Sequence, residues 1–282
     1  SVPVRTNLLF AAEGIEHFTF PIKICADLWA PIPPSSYLTM SGAAIIANTS
    51  ASNELATKNE YRTALVSNQS ARCICGYVYS SAGIGESTQD MVFSGHSIIS
   101  ENGSVLIEGD RFSNDSSLIM ADIDTELIVN DRRKNTSYSD FDAPEAEIIS
   151  FGMYENTKKN LERFVRPQPF VPNDDGELNS RCSDIFNIQV AGLVKRIMHT
   201  NAKALVIGIS GGLDSTLALL VSAKACDYLG ISRKTIIGVT MPGFGTTDRT
   251  YNNALSLMGA LGVEIREIPI GEAAMLHFKS IG

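Results

Sequence analysis

The sequence predicts an α/β protein in two parts: a strand-rich sandwich with helices outside, then a doubly wound parallel sheet. Three observations predict it. Apolar runs at 204–210, 235–241 and 263–270 alternate with helical periods at 214–229 and 250–261. That βαβαβ order implies parallel strands with right-handed crossovers. Before about residue 140 the chain reads mostly as strands, and Ile45-Ile46 suits a strand buried on both faces. Between the two parts, 141–180 is rich in charge and proline, notably Arg166-Pro167-Gln168-Pro169. Such composition marks a linker.

In chain order, strands are expected over 4–10, 18–25, 43–50, 72–80, 94–100, 105–109 and 117–124. Glu101-Asn102-Gly103-Ser104 signals a hairpin, because Asn-Gly supplies the positive φ of a two-residue turn. A helix is expected over 53–68, with Asn53 as its N-cap. Cys73 and Cys75 fall in a strand-like run and would share one side of it. A second helix is expected over 144–165, then an extended linker, then an apolar-periodic helix over 184–200 ended by Asn201. The expected divisions are 1–142, 143–180 and 181–282.

Bulk properties narrow the function classes. A chain of 282 residues has room for two domains. The net charge of −8, with both signs interspersed, argues against nucleic acid or an anionic membrane as partner. No apolar run is long enough to span a bilayer, and no basic stretch precedes an apolar one at the N-terminus. The five cysteines are sparse and form no zinc-type pair of C-x-x-C motifs, so free thiols in a reducing cytoplasm are expected. The chain opens on Ser1 and is expected to be an internal piece of a longer protein.

The most informative stretch is Ser210-Gly211-Gly212-Leu213-Asp214-Ser215, between an apolar strand and a helix. N–H groups at a helix start lack partners and collect an anion. The glycines admit an oxyanion close to the backbone, Ser210 and Ser215 add hydroxyls, and Asp214 can hold Mg²⁺. No Lys follows at the spacing of a Walker loop. Met241 ends the neighbouring strand, where a nucleotide base belongs in a doubly wound sheet. The pattern S-G-G-x-D-S resembles the pyrophosphate loop of the ATP-pyrophosphatase superfamily. The resemblance implies cleavage of ATP to AMP and pyrophosphate, with residues 210–215 and Met241 binding ATP.

A second candidate is Cys25, at the end of a strand and before a proline-rich loop. That is a suitable place for a nucleophile, although most single cysteines are inert and buried. Cys25-Ala26-Asp27-Leu28-Trp29, Pro33-Pro34-Ser35-Ser36, Asn48-Thr49-Ser50-Ala51-Ser52-Asn53-Glu54 and Gly85-Glu86-Ser87-Thr88 together resemble the glutaminase domain of glutamine-dependent NAD synthetases. Pro169-Phe170-Val171-Pro172 and Phe186-Asn187-Ile188-Gln189-Val190 extend the likeness into the second part. The resemblance implies a partial nitrilase-like αββα sandwich (a carbon-nitrogen hydrolase fold) joined to a partial adenine nucleotide alpha-hydrolase-like domain. It implies ATP and Mg²⁺, deamido-NAD, glutamine or ammonia, and a homo-oligomer.

In that family a Glu-Lys-Cys triad hydrolyses glutamine. Cys25 matches the nucleophile, and the Glu and Lys are expected upstream of this chain. Lys23 is not assigned to the triad. Ser52 matches a glutamine-binding position, and Lys58 stands where an Arg commonly holds the glutamine carboxylate. Ala26 replaces the usual Glu after the cysteine. The backbone N–H of Ala26 is expected at an oxyanion hole, and residues 83–87 at the site's rim. His96 and His199 are read as structural, Arg249 as a solvated helix-start residue, and Asp131-Arg132-Arg133-Lys134 as a solvated face. Two alternatives stand beside the NAD reading. One is another ATP-pyrophosphatase amidotransferase; the other is an incomplete chain that binds ATP without releasing pyrophosphate.

Overall fold

The structure is a computed structural model and describes residues 5–86, 90–140, 142–153, 161, 163–172 and 175–282. The chain divides into two units, Ser1–Val165 and Arg166–Gly282.

The first unit holds two sheets. Its elements are β1 (Leu8–Glu13), β2 (Thr19–Phe20), β3 (Ile22–Ile24), α1 (Pro34–Met40), β4 (Ile45–Ser50), α2 (Lys58–Cys73), β5 (Gly76–Ser81), β6 (Ser97–Glu101), β7 (Ser104–Glu108), α3 (Thr125–Lys134), α4 (Thr136–Ser139) and β8 (Glu147–Gly152). The small sheet runs β2-β1-β8 and the large one β3-β4-β5-β6-β7. Strands β3, β4 and β5 are parallel, so their C-terminal ends share one edge. The antiparallel hairpin β6–β7 turns on Asn102 and Gly103, both at positive φ, as the Asn-Gly signal requires. Leu9 of the small sheet shares a core with Ile46, Tyr77 and Ile98 of the large sheet and with Leu38 and Val66 of the helices. Burial of that shared apolar surface holds the layers together.

The structure corrects several expectations. Residues 147–152, read within a helix over 144–165, form strand β8, parallel to β1. Its half-buried residues Glu147, Ile149 and Phe151 alternate with exposed ones, and that period of two overrides helix propensity. Residues 154–160 and 162 lie outside the described residues. The run 117–124 forms no strand; it ends in Asp124, whose carboxylate caps α3 by accepting from the Leu127 N–H at 2.8 Å. Cys73 closes α2 rather than lying in a strand, and Ile74 after it takes the left-handed C-cap conformation (φ 45°). The solvated face expected at 131–134 is also wrong for Arg132. Its guanidinium donates to the carbonyls of Ile74 (2.9 Å), Ala43 (2.7 Å) and Cys73 (3.2 Å), and lies over the Tyr138 ring.

The second unit contains α5 (Asp175–Thr200), β9 (Leu205–Gly208), α6 (Leu213–Leu229), β10 (Ile236–Thr240), α7 (Asp248–Leu261), β11 (Glu264–Glu267) and α8 (Gly271–Ile281). The sheet is parallel throughout, in the order β11-β10-β9. Ile209, Leu219, Cys226, Ile236 and Met258 fill the core between sheet and helices. Helix α5 packs on α6 through Val190, Val194, Ile197 and Val221. Gly230 and Gly262 terminate α6 and α7 in left-handed caps, which glycine adopts without a Cβ penalty. Helix α8 is an element the sequence reading did not contain; its apolar residues Met275, Leu276 and Phe278 stay largely exposed.

Candidate functional site

Each unit carries one candidate site at the C-terminal ends of parallel strands. In the second unit β9 leads through the buried Ile209 into residues 210–215. Gly211 sits at φ 80° with its α-carbon face against the backbone of Thr250; a Cβ there would lie 2.8 Å from that carbonyl carbon and closer still to its oxygen. Only glycine fits. Gly212 is the N-cap of α6 at φ −89°. The Ser210 and Ser215 hydroxyls are 3.2 Å apart. Ser210 Oγ accepts from the Gly212 N–H at 3.3 Å, and Ser215 Oγ donates to the Gly212 carbonyl at 3.1 Å. These bonds brace the loop from inside. The first N–H groups of α6 then have no intrahelical acceptor and face outward. Leu213 and Asp214 are exposed in that first turn.

A cavity of about 470 Å³ opens beside the loop, lined by Gly208, Ser210, Gly212, Thr240, Met241 and Thr250. Met241 stands half-exposed on its rim, directly after β10. The following turn is tied by the Gly243 N–H to Thr246 Oγ1 (3.0 Å) and the Ile270 N–H to the Pro242 carbonyl (3.1 Å). The helix dipole of α6 favours an anion at the loop. Asp214 offers one carboxylate, and among the described residues no group of three or more metal-ligating side chains occurs. This donor set fits Mg²⁺, which takes one or two carboxylates and completes its shell with phosphate and water. Arg249 is exposed in the first turn of α7 and does not line the cavity.

In the first unit β3 ends at Ile24, and Cys25 begins a 3-10 turn, Cys25–Trp29, at φ 41°. A left-handed non-glycine residue holding a half-buried thiol is a strained position, and such strain gathers at functional sites. Ala26, exposed, follows it. Lys23 is buried and occupied elsewhere: its ammonium donates to the Thr6 carbonyl at 3.2 Å and lies 3.9 Å from Asp27. Burial lowers its pKa, with Asp27 opposing.

Lys58 opens α2. Its ammonium donates to the Asn53 carbonyl (2.7 Å) and to Asn53 Oδ1 (3.0 Å), and lies 5.4 Å over the Trp29 ring. Trp29 in turn packs at 5.6 Å against Tyr61. Burial and then the Arg62 charge lower the Lys58 pKa, while Glu54 and the Cys25 thiol raise it. The Lys58 ammonium thus lies over the last residue of the turn that Cys25 opens. Ser52 is buried just past β4, on the same edge, and its N–H reaches Ser81 Oγ at 3.4 Å. Gly83 and Gly85 line a polar cleft of about 380 Å³ with Ser80, Ser94 and Asp110; Ser87 and Thr88 lie outside the described residues.

Asn53, expected as the N-cap of a helix over 53–68, lies outside α2, which begins at Lys58 with Thr57 as its N-cap. His96, read as structural, is buried. Sequence reasoning missed Tyr61 and the buried pair of Glu54 and Arg62. A signal for Arg62 existed. It shares the helical period of Val66, Gln69 and Cys73, all buried on one face of α2, so a charge there demands a buried partner. His199, on the last turn of α5, is exposed.

Residues 185–281 match the family model of NAD synthase. A glutamine-dependent NAD(+) synthetase of Mycobacterium bovis is 40% identical over 288 aligned positions, covering 100% of this chain and 42% of that protein. One from Thermotoga maritima is 26% identical, over 92% of this chain and 42% of its own length. A solved glutamine-dependent NAD+ synthetase from Acinetobacter baumannii, in complex with adenosine diphosphate, aligns at 18% identity and a TM-score of 0.37, over 95% of this chain and 42% of its own. Among the described residues no helix is long and apolar enough to cross a membrane. Along its whole length the chain is a homologue of the glutamine-dependent NAD(+) synthetases, and it spans 42% of the length of the curated relatives it matches.

Proposed function

We propose that this chain carries two working parts of an ATP-dependent amidation of deamido-NAD to NAD: a glutaminase nucleophile and a pyrophosphate loop. The observation that carries this reading is the braced loop at residues 210–215, with free helix N–H groups beside a cavity rimmed by Met241. In the glutaminase half, the Cys25 sulfur attacks the glutamine amide carbon. The C–N bond breaks, ammonia leaves with a proton, and water cleaves the thioester to glutamate. Lys58 and Ser52 hold the substrate's polar end. Lys58 supplies charge without the two-pronged geometry of an arginine.

In the synthetase half, a carboxylate oxygen of deamido-NAD bonds to the α-phosphorus of ATP, and the bond to the β-phosphate bridge breaks. Ammonia then bonds to the activated carbonyl carbon, and AMP leaves with the oxygen. The N–H groups of the first turn of α6, with Ser210 and Ser215, hold the pyrophosphate as its charge grows. Gly211 and Gly212 keep side chains out of its way, and Met241 lies against the adenine. Mg²⁺ when bound neutralises phosphate charge, held through Asp214. The protein works as a homo-oligomer in a reducing cytoplasm.

The test is pyrophosphate release from Mg-ATP and deamido-NAD by the protein carrying this chain, with glutamine and ammonia supplied separately. Cys25→Ala should abolish the glutamine reaction and spare the ammonia reaction. Release with ammonia alone in the unaltered protein would confine the reading to the synthetase. No release with either donor would refute it and favour a different ATP-pyrophosphatase amidotransferase.

A further inference from the structure

The first unit buries a charged network that the chemistry above does not use. Arg62 is 0% exposed and the Glu54 side chain 7%. Arg62 Nη1 donates to Glu54 Oε2 at 3.1 Å and to His96 Nδ1 at 2.9 Å. Arg62 Nε and Nη2 find no acceptor among the described residues, so the guanidinium is oriented through Nη1. The Ser94 hydroxyl also donates to Glu54 Oε2, and Arg111 lies 3.9 Å from Glu54 Oε1. His96, itself 0% exposed, faces Glu108 Oε1 at 2.7 Å with Nε2. Since Nδ1 accepts from a guanidinium, Nε2 must carry the ring's proton and donate to Glu108. The network thus fixes one tautomer.

Burying an ion pair contributes little net stability, because desolvation offsets the attraction. Geometry gives it another purpose. Residues 51–57 have no helix or strand of their own, and Thr57 sits at φ 67°. Glu54 anchors the start of this segment, and Arg62 lies one turn beyond Lys58 on α2. Their ion pair closes a loop around Lys58. Asn53, next to Glu54, supplies both acceptors of the Lys58 ammonium. Burial alone would raise the Glu54 pKa, but Ser94, Arg62 and Arg111 outweigh it and keep the carboxyl below its ordinary range.

We propose that the Glu54–Arg62 pair, keyed by His96, is the positioning device that holds Lys58 over the Trp29 end of the turn that Cys25 opens, and so gives the thiol site its preference for ligands bearing a carboxylate. This rests on the reading of Cys25 and Lys58 as one ligand site.

The test compares two thiol reagents of similar size, iodoacetate and iodoacetamide, on the protein carrying this chain at low ionic strength. Rates are read at Cys25 by peptide mass mapping, with the exposed Cys182 as internal reference. A lysine charge near the thiol should raise the iodoacetate-to-iodoacetamide ratio at Cys25 about fivefold over that at Cys182. Lys58→Gln should abolish that excess. So should the double variant Glu54→Gln with Arg62→Gln, which removes both buried charges together and leaves neither unpaired. Circular dichroism melting verifies that each variant is folded. His96→Asn, which keeps an acceptor near the Nδ1 position, should retain most of the excess, whereas His96→Leu should lose it. An excess that disappears in Lys58→Gln but survives in the double variant overturns the positioning role alone. No excess in the unaltered protein overturns the underlying reading and the proposal with it.

Discussion

Gly211→Ala and Gly212→Ala are neighbouring substitutions with opposite expected outcomes. At Gly211 the added Cβ meets the Thr250 backbone, 2.8 Å from the carbonyl carbon and 3.0 Å from Cα. Backbone cannot swing aside as a side chain can. Alanine at φ 80° also carries the left-handed penalty of about 1–2 kcal/mol. Forcing the loop off α7 adds an overpacking cost of about 1–3 kcal/mol. The sum, about 2–5 kcal/mol, is a large share of a domain's typical stability of about 5–15 kcal/mol. At Gly212 the nearest atom to a new Cβ is Ser210 Oγ at 3.4 Å, an ordinary contact, and φ is −89°. Its cost should stay below about 1 kcal/mol. Yet a methyl at Gly212 would crowd the anion site, so this variant should fold and bind ATP at least tenfold more weakly. Urea unfolding followed by circular dichroism, with isothermal titration of Mg-ATP, measures both. Equal stability of the two variants would refute the packing argument. Undiminished ATP affinity in Gly212→Ala would refute the phosphate reading of the loop.

Two further predictions concern the first unit. Burial lowers the His96 pKa, Glu108 opposing, so the folded state takes up a proton less readily than the unfolded chain. Stability is then complete above the ordinary histidine value near about pH 6.5 and declines as pH falls below it, at a pH still above the range where ordinary carboxylates protonate. Urea midpoints between pH 7.5 and 5 should show this decline, and His96→Asn should flatten it; an unchanged slope would contradict a neutral buried imidazole. Arg132→Ala leaves the carbonyls of Ala43, Cys73 and Ile74 without their donor and should cost about 3 kcal/mol; a loss under about 1 kcal/mol in chemical denaturation would show that the clamp is replaceable by water.

The sequence made the second unit legible because its signals are local. Apolar strands at β9 and β10, the Gly-Gly turn and the left-handed Gly230 and Gly262 each announce themselves within a few residues. The first unit depends on distant partners. Nothing near residues 147–152 reveals that they pair with β1, and a run this short is ambiguous between helix and strand until its partner is known. Arg132 looks like one of four charged surface residues until three carbonyls, supplied by segments far away in sequence, are brought around it. At the proposed thiol site, Cys25 could be singled out by its place after a strand, and Ser52 and Lys58 only through the family resemblance. The device around Lys58 could not, since Glu54, Arg62, His96 and Glu108 come from a loop, a helix and two parts of a hairpin.

Both candidate sites turn on a left-handed residue at a strand's C-terminal end, and they resolve its cost in opposite ways. At Gly211 a side chain has no space, so glycine removes both strain and clash. At Cys25, the proposed nucleophile, a side chain is present and the strain is retained at about 1–3 kcal/mol. The surroundings enforce it: β3 is paired to β4 on one side, and on the other Leu28 is buried while Trp29 packs on Tyr61. This predicts an ordering that contact counting would not. Cys25→Gly should be more stable than Cys25→Ala by about 1 kcal/mol, although glycine ordinarily loses to alanine through its greater unfolded-chain entropy. Both variants lack the thiol, so the difference isolates the backbone. Urea midpoints of the two at equal concentration decide it. If alanine proves the more stable, Cys25 carries no left-handed strain, and the argument that this turn sacrifices stability to present a nucleophile fails with it.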